Sequence, residues 1–396
     1  MGQYLVRWPA NPTVDDLGFR YTSRMAESKL RIGLVGAGTI MRIAHAPTID
    51  ASADAELAAV FDLRIELANA ITKSFGGRAY DDLEQMLANA DLDAVIVATP
   101  NCFHEDNVVA AAAHGLHVLC EKPLAIDVAS AARMIKACND AGVVLQTGFN
   151  QRFWTQNRIA REVIDSGLIG EIHQMRSLYS EKSTAYPATT AFRYDLAKSG
   201  GATIIDLTVH RIDIARYLVG DIASVFAELE HSFLPQKVDD NVWLLTKFVN
   251  GARGCLTSNR ISPNIGDGTD IFGTEGTIHI ATESINPHNS APLRVYTEKS
   301  KSQLPEILQQ ACYPDAWWKE FDGGWITVKP PRSNPYQLQL QEFCASIREG
   351  RPSHVSGVDG LRAQEVVQAG YLSHESGTWV DLPLPENAPF NIPTYS

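Results

Sequence analysis

A glycine-rich turn near the start of the sequence has the composition of a phosphate-binding loop. Residues 36–41 have the sequence Gly-Ala-Gly-Thr-Ile-Met and stand between an apolar run and a helical pattern. Gly36 permits a tight turn, and Gly38 lets the backbone approach a pyrophosphate at the N-terminus of the following helix. Met41 replaces the third glycine that such turns usually have, so we expect a slightly displaced helix. The predicted nucleotide contacts here are Gly36, Gly38, Thr39 and Ile40.

A carboxylate at the end of the next apolar run supports this interpretation. The run at 57–61 ends in Asp62, which lies 21 residues beyond Met41. An acid at this distance can accept hydrogen bonds from the adenosine ribose diol, and it repels a 2′-phosphate. The sequence therefore favours NAD as cofactor over NADP, although the nearby Arg64 moderates that preference. The alternative is that Asp62 only caps the following helix.

Five apolar runs alternate with helical patterns in the first part of the chain. Each run is apolar throughout or nearly so, as expected of parallel strands that are buried on both faces. The alternation predicts an α/β fold with a doubly wound parallel sheet, a Rossmann domain over residues 30–148. The predicted strands are 32–36, 57–61, 94–98, 117–120 and 143–146, and the predicted helices are 41–50, 65–73, 82–88, 106–113 and 127–139.

The pattern changes after Gly148. Longer, more alternating runs are separated by turn-forming residues such as Asn250-Gly251, and they predict a large, mostly antiparallel open sheet. We therefore expect a second, α+β domain over residues 149–381, a flexible extension at 1–29 and a tail at 382–396. The predicted strands are 171–178, 241–249, 254–259, 269–272 and 276–280, and the predicted helices are 157–166, 336–348 and 357–373.

The composition excludes several classes of function. The chain has 396 residues with 34 basic and 46 acidic side chains, and its formal net charge is −12 at pH 7. Such a charge opposes binding to nucleic acid. No apolar run reaches the roughly 18 residues that a membrane-spanning helix needs, and the first residues lack a secretory signal pattern. The six scattered cysteines fit reduced thiols, so we expect a cytoplasmic protein without nucleic-acid or membrane partners.

Two further segments resemble the signature stretches of one enzyme family. Residues 94–124 have the sequence AVIVATPNCFHEDNVVAAAAHGLHVLCEKPL, and residues 200–220 have the sequence GGATIIDLTVHRIDIARYLVG. Both are similar to segments of the glucose–fructose oxidoreductase, inositol dehydrogenase and rhizopine-catabolism family (Gfo/Idh/MocA). The resemblance extends from about residue 31 to about residue 381. It implies a two-domain, NAD(P)-dependent oxidoreductase.

The resemblance also implies a catalytic lysine. The family's Glu-Lys-Pro motif corresponds here to Glu121, Lys122 and Pro123, and Pro123 is expected to follow a cis peptide bond, as in relatives. Lys122 would lie at the carboxyl end of a parallel strand, where ligands bind in open α/β sheets. There it can relay a proton to or from the substrate oxygen. For an isolated lysine the alternative is an ordinary position in a surface turn.

Asp206 and His210 match an Asp-x-x-x-His pair of the family. Their i, i+4 spacing places both side chains on one face of a helix. His210 suits proton transfer because its intrinsic pKa is near neutrality, and Asp206 can orient the imidazole or the substrate hydroxyls. The alternative is an ordinary hydrogen-bonded pair within a helix. A metal site is disfavoured because Asp213 is the only obvious third ligand.

The remaining candidates also follow from the resemblance. Thr99, Pro100, Asn101 and His104 are expected to line the cofactor groove with Glu121 and Lys122, with His104 structural rather than the proton carrier. Candidates for substrate hydrogen bonds are Asn150, Arg152 and Arg193, in addition to Lys122, Asp206 and His210. An arginine in these positions can equally brace the two domains.

Together these features predict reversible hydride transfer between the nicotinamide C4 atom and a carbinol or carbonyl carbon of a sugar or polyol. Two alternatives stay open at this point. One is an NAD-dependent glycosidase that uses transient oxidation, and the other is a non-catalytic, sugar-responsive regulator with the same fold. The resemblance further implies a homodimer or homotetramer that forms through the exposed face of the second sheet.

Overall fold

The computed structural model contains two β-sheets, one in each predicted domain. It describes residues 28–182, 192–263, 268–281, 293–311, 320–328, 330, 333–385, 388–393 and 395. Most of the predicted extension at 1–29 lies outside these residues.

The first sheet has six strands, and every pair of neighbours is parallel. The strands are β1 (Leu30–Val35), β2 (Ala55–Phe61), β3 (Arg78–Tyr80), β4 (Ala94–Val97), β5 (His117–Glu121) and β6 (Leu145–Gly148), in the order β3-β2-β1-β4-β5-β6. The five predicted strands are present, and β3 is an additional strand of three residues. The strand order reverses between β1 and β4, which opens a ligand-binding crevice at their carboxyl ends.

Helices cover both faces of this sheet. They are a π-helical turn (Met41–His45) that continues as α1 (Ala46–Asp50), α2 (Ile65–Phe75), α3 (Leu83–Asn89), a 3-10 turn (Asn101–Phe103) that continues as α4 (His104–Ala113), and α5 (Val128–Ala141). Aspartates define two of the starts, because Asp82 accepts from the Gln85 amide at 2.9 Å and Asp127 from the Ser130 amide at 2.7 Å. All five predicted helices are therefore present.

The second sheet has nine strands and is mostly antiparallel, as predicted. Among the described strands of this second sheet, only the β7–β10 pair is parallel. The strands are β7 (Ile172–Ser180), β8 (Ile222–Glu230), β9 (Asn241–Phe248), β10 (Arg253–Asn259), β11 (Gly268–Gly273), β12 (Gly276–Ala281), β13 (Leu293–Ser300), β14 (Asp322–Val328) and β15 (Val380–Asp381), in the order β14-β13-β12-β11-β7-β10-β9-β8-β15.

The helical segments after residue 148 pack on one face of that sheet or against the first sheet. They are a 3-10 turn (Asn150–Phe153), α6 (Thr155–Asp165), α7 (Leu196–Ser199), a π-helical turn (Ile204–Thr208) that continues as α8 (Val209–Leu218), a 3-10 turn (Lys301–Gln303), α9 (Glu306–Gln309), α10 (Pro335–Glu349) and α11 (Gly357–Ser376). The opposite face exposes large apolar side chains, among them Trp243, Leu245 and Trp325.

The late helix α10 packs into the core of the first domain, and it also contacts the 3-10 turn at Asn150–Phe153. Leu340, Phe343 and Cys344 are buried in the same cluster as Ile32 and Leu34 of β1. The Rossmann core is thus completed by a helix that follows the second sheet in the sequence. Sequence patterns cannot show this, because they predict a helix and its apolar face but not the partner of that face.

The described part of the predicted tail packs against the second domain. The Phe390 ring lies edge-on to Tyr371 at 6.4 Å, and Gln368 donates to the carbonyl of Ala388 at 3.1 Å. Among the described residues, the structure contains no helix with the length and apolar character needed to span a bilayer.

Candidate active site

The glycine turn lies at the carboxyl end of β1, beside the end of β4. Gly36 has φ +95°, and a Cβ atom there would stand 3.0 Å from the Ala98 carbonyl oxygen. A Cβ atom at Gly38 would meet no atom within 4 Å. The turn thus needs glycine at Gly36 for its own conformation, whereas the space beside Gly38 is open to a ligand. This geometry fits a dinucleotide pyrophosphate at the start of the helix.

Asp62 connects the end of β2 to this turn. Its carboxylate accepts from the Ala37 amide at 2.8 Å and from the Arg64 amide at 2.9 Å. The Asp62 side chain retains 14% exposure, and the Arg64 guanidinium lies 3.7 Å from it. A partly exposed carboxylate in this position fits the ribose diol of NAD. The same carboxylate also fixes the glycine turn.

The residues that follow the glycines begin the next helix. Thr39 and Ile40 are half-buried, and Met41 is fully buried in the core. The helix begins with the π-helical turn at Met41–His45, which is wider than an α-helical turn. A bulky side chain therefore occupies the position where a glycine usually allows close packing.

The loop after β4 lies between the glycine turn and the Glu-Lys-Pro segment. His104 is buried, with Nε2 3.0 Å from the Thr99 carbonyl and Nδ1 3.0 Å from the Pro123 carbonyl. Burial lowers the pKa of His104 despite these contacts. Asn101 donates to the Ser199 carbonyl of the second domain at 2.7 Å. His104 and Asn101 therefore brace this loop, while Thr99 and Pro100 stay half-buried beside the crevice.

The Glu-Lys-Pro segment follows β5 directly, and the Lys122–Pro123 bond is cis, as predicted. Glu121 is buried, and its Oε1 lies 2.8 Å from Nε2 of His45, at the end of the π-helical turn. The His45 ring stands edge-on to Tyr336 at 5.4 Å, and Tyr336 is hydrogen-bonded to the side chain of Asn150. Glu121 thus connects the glycine-turn helix to the lysine segment, and Asn150 joins the same cluster.

Lys122 and Asp206 form an ion pair across the two domains. Lys122 Nζ donates to Asp206 Oδ1 and to the Asp206 carbonyl, both at 2.8 Å. Asp206 Oδ2 pairs with Arg193 Nε at 3.2 Å and also with the Arg260 guanidinium. Burial raises the pKa of Asp206, but the charges of Arg193, Lys122 and Arg260 outweigh it and hold that pKa well below its ordinary value. Asp206 is therefore an anion shared by three cations.

His210 lies on the same helix as Asp206 and is also buried. Burial and the charges of Lys122 and Arg211 lower the pKa of His210 well below its ordinary value. The imidazole is therefore neutral near pH 7. Its Nδ1 atom is buried without a hydrogen-bond partner among the described residues, and its ring stands edge-on to Tyr179 at 6.1 Å. Within the described part of the chain, the Nδ1 atom is thus left without the partner that buried polar groups usually have.

Arg152 was a predicted substrate ligand, but in the structure its guanidinium binds other residues of the protein. Its guanidinium binds Asp213 at 2.6 Å, Asp359 at 2.9 Å and the His354 carbonyl at 3.2 Å. These contacts use its donors to join the helices α8 and α11. Arg152 therefore acts as a brace, the alternative stated above for an arginine, and Asp213 is its counterion.

Two residues of the cluster were missed by the sequence analysis. Arg260 lies just beyond β10 and is fully buried, and His45 lies in the helix after the glycine turn. No motif marked either residue. A buried arginine is detectable only through its carboxylate partner, and that partner is 54 residues away in the sequence.

A parallel sheet with this glycine turn, Asp62 and a lysine after the fifth strand defines an NAD-dependent oxidoreductase with a Rossmann domain. Family comparison agrees with this class. Residues 30–149 match the model described as "Oxidoreductase family, NAD-binding Rossmann fold", and residues 157–279 match "GFO/IDH/MocA C-terminal domain". The chain belongs to the Gfo/Idh/MocA family of oxidoreductases, its cofactor is NAD, and it is a dehydrogenase or reductase of CH–OH groups.

Individual relatives match over nearly their whole length. The chain is 32% identical to D-glucoside 3-dehydrogenase of Escherichia coli (strain K12), covering 91% of this chain and 99% of the relative. It is 28% identical to myo-inositol 2-dehydrogenase of Thermotoga maritima, covering 88% and 96%. A solved structure of levoglucosan dehydrogenase with NADH and levoglucosan aligns with a TM-score of 0.76 at 25% identity, covering 90% of this chain and 100% of that one.

Proposed function

We propose that this protein oxidises a secondary hydroxyl of a pyranose sugar or cyclic polyol, or reduces the corresponding ketone, with proton transfer through Lys122, His210 or both. The observation that supports this most directly is the placement of the Lys122 ammonium and the neutral His210 imidazole beside one buried carboxylate, Asp206, at the carboxyl end of β5. The relatives named above act on a glucoside, an inositol and levoglucosan. These relatives do not favour a glycosidase or a regulator.

Bound NAD supplies the hydride acceptor or donor at C4 of its nicotinamide ring. Gly36, Gly38 and Asp62 are the residues that would hold its adenosine half, with Thr39 and Ile40 beside them. Thr99, Pro100 and Glu121 would stand near the nicotinamide half. Asn101 and His104 would support that groove through the contacts described above.

Residues of the chain itself can transfer the proton of the substrate oxygen. Lys122 Nζ uses two donors on Asp206, which leaves a third direction for the substrate oxygen. In the reducing direction the ammonium gives a proton to that oxygen, and in the oxidising direction the neutral amine accepts it. His210 hydrogen-bonds the same oxygen. Arg193, which is half-buried, and Asn150 would bind neighbouring hydroxyls.

The test is a panel of myo-inositol, D-glucose, a methyl glucoside and levoglucosan, assayed for reduction of NAD and of NADP. We expect turnover with NAD, and we expect Lys122→Ala to lower it roughly 10²–10⁴-fold while NADH binding persists. Lys136→Ala is the matched control, because Lys136 is an exposed lysine of α5. Unchanged turnover in Lys122→Ala refutes the lysine's role. Release of a sugar without net NADH would favour the glycosidase instead.

We also propose that the chain is a cytoplasmic homodimer or homotetramer assembled through the exposed face of the second sheet. Trp243, Leu245 and Trp325 are 42%, 41% and 47% exposed on that sheet, so apolar side chains of this face are available to pack against a second copy. Light scattering of the purified protein measures its mass and so tests the oligomeric state. A monomeric mass at micromolar concentration contradicts it.

A further inference from the structure

Asp239 is a fully buried carboxylate that the mechanism above does not use. It lies in the connection between β8 and β9. Its Oδ2 accepts a hydrogen bond from the Ile204 amide at 2.8 Å, and its Oδ1 accepts one from the Tyr371 hydroxyl of α11 at 3.3 Å. Ile204 begins the π-helical turn that contains Asp206 and continues into the helix of His210. The carboxylate therefore holds the first turn of the helix that carries both candidate catalytic groups.

The backbone of the same segment holds this helix and its ion-pair partner together. The Asp239 carbonyl accepts from the Thr203 hydroxyl at 2.5 Å and from the Thr203 amide at 3.3 Å. The carbonyl of the next residue, Asp240, accepts from the Arg260 amide at 2.9 Å. Two consecutive residues thus fix the start of the Asp206 helix and the backbone of Arg260. Those are the two sides of the buried Asp206–Arg260 ion pair.

The carboxylate is an effective acceptor at the pH of an assay. Burial raises the pKa of Asp239 to about 6, against the opposing effects of the Ile204 amide and the Arg260 charge. Burial also raises the pKa of Tyr371 well above its ordinary value, so the phenol keeps the proton that it donates. At pH 8 the Asp239 carboxylate is therefore ionised, and both of its oxygens accept hydrogen bonds. A charged acceptor bonds an amide more strongly than a neutral one.

We infer that Asp239 is a positioning residue for the reaction, which fixes Asp206 and His210 relative to Lys122 by anchoring the first turn of their helix. The inference rests on the proposed roles of those three residues. Asp239 acts through the helix and touches neither substrate nor cofactor. A displacement of about 1 Å in a catalytic group can cost on the order of 10²-fold in rate, so the anchor affects turnover strongly. The NAD-binding turn belongs to the other domain and is not affected.

Two variants of Asp239 separate the hydrogen bond from the rest of the side chain. Asp239→Ala removes the acceptor for Ile204. Asp239→Asn keeps an acceptor oxygen for Ile204 and places an NH₂ group opposite the Tyr371 hydroxyl. With the best substrate of the panel at pH 8, we expect Asp239→Ala to lower kcat roughly 10–100-fold with KM for NAD unchanged. We expect Asp239→Asn to restore kcat to within about threefold of the wild type.

Asp240→Asn is the matched control. Asp240 is equally buried, but its carboxylate accepts from the amides of Ser232, Phe233 and Leu234 instead of from the helix. This variant loses a buried charge in the same segment but keeps the Asp240 backbone carbonyl that accepts from the Arg260 amide, so it is expected to keep kcat. Thr203→Val is the second probe, because it removes the hydroxyl bond to Asp239 without a change in size. It is expected to lower kcat severalfold, and it keeps the inference testable if Asp239→Ala does not fold.

Hydrogen–deuterium exchange gives a readout that needs no substrate. We expect the amides of residues 204–208 to exchange at least about tenfold faster in Asp239→Ala than in the wild type, and at wild-type rates in Asp240→Asn. Unchanged exchange in folded Asp239→Ala, or equal losses of kcat in Asp239→Ala and Asp240→Asn, would overturn the inference. Faster exchange with unchanged kcat would overturn it as well. Failure of the proposed function appears separately, as unchanged turnover in Lys122→Ala.

Discussion

At the scale of single residues, the site is organised around one carboxylate. Asp206 receives Lys122 from the first domain, and Arg193 and Arg260 from the second. Each cation alone would be costly to bury, and the shared anion offsets that cost. The same arrangement keeps His210 neutral, because burial and the surrounding cations both oppose protonation of the imidazole.

Asp206→Asn is therefore expected to destabilise the protein by about 3–5 kcal/mol, because it leaves buried cations without their anion. The folded-state pKa of Asp206 is lowered, so this stabilisation is complete above the unfolded-state pKa of about 3.9 and is lost as the pH falls through the folded-state value. Urea unfolding should show the same deficit at pH 5 and pH 8, and a smaller one only in stronger acid.

Asp221→Asn is the control for this change. Asp221 pairs with Arg216, but its side chain is 53% exposed, so its loss should cost no more than about 1 kcal/mol. Equal deficits in the two variants would show that Asp206 contributes no more than a surface ion pair does.

Residue identity in the site was predictable where a motif marked it, and not elsewhere. The structure brings Lys122, Asp206 and Arg193 together, and motifs had marked the first two. Arg152 was named for its place after the sixth strand, but the same position lets it reach Asp213 and join two helices. Arg260 was missed because its role depends on a contact between distant segments. A single sequence shows such residues only as unremarkable positions.

At the scale of elements, the two glycines of the glycine turn have different roles, one in folding and one in binding. Gly36→Ala should destabilise the protein by about 1–3 kcal/mol, because alanine is strained at φ +95° and its Cβ would crowd the Ala98 carbonyl. Gly38→Ala should leave stability unchanged, since its Cβ meets no atom within 4 Å. It should still weaken NADH binding about tenfold or more, because the added methyl occupies the space of the pyrophosphate.

Thermal unfolding and fluorescence titration with NADH measure the two effects on the same samples. If Gly38→Ala bound NADH normally, the pyrophosphate would not lie against this turn. If Gly36→Ala were as stable as the wild type, the conformation of the turn would not require glycine.

The elements of the first domain were more predictable than those of the second. Strand β4 (Ala94–Val97) is buried throughout, and its uninterrupted apolar run identified it directly. Strands such as β8 (Ile222–Glu230) and β14 (Asp322–Val328) were not predicted. Polar residues interrupt the apolar residues of β8, and β14 begins with Asp322 and two glycines, which weakens the apolar pattern. A strand with one face in water depends on its neighbours for its identity as a strand.

At the scale of the whole molecule, the two domains are joined by more than the connection after β6. The Gln146 side chain donates to the Gln339 carbonyl at 3.0 Å, and the Thr147 hydroxyl donates to the Ser356 carbonyl at 2.9 Å. Helix α10 adds an apolar contribution to the cofactor domain. The nucleotide-binding half therefore depends on residues near the end of the chain, and a fragment that ends at residue 148 would expose the apolar face that α10 covers.

Phe343→Ala tests this dependence. Phe343 is fully buried in the cluster that also contains Leu34 of β1 and Met41 of the glycine-turn helix. We expect a loss of about 3–5 kcal/mol in the free energy of unfolding and weaker NADH binding, because the cavity lies behind the turn that holds the cofactor. Phe233→Ala is the control, since Phe233 is 69% exposed and its loss should cost less than about 0.5 kcal/mol. Should Phe343→Ala keep full NADH affinity and stability, α10 would be only an accessory to the cofactor domain and not part of its core.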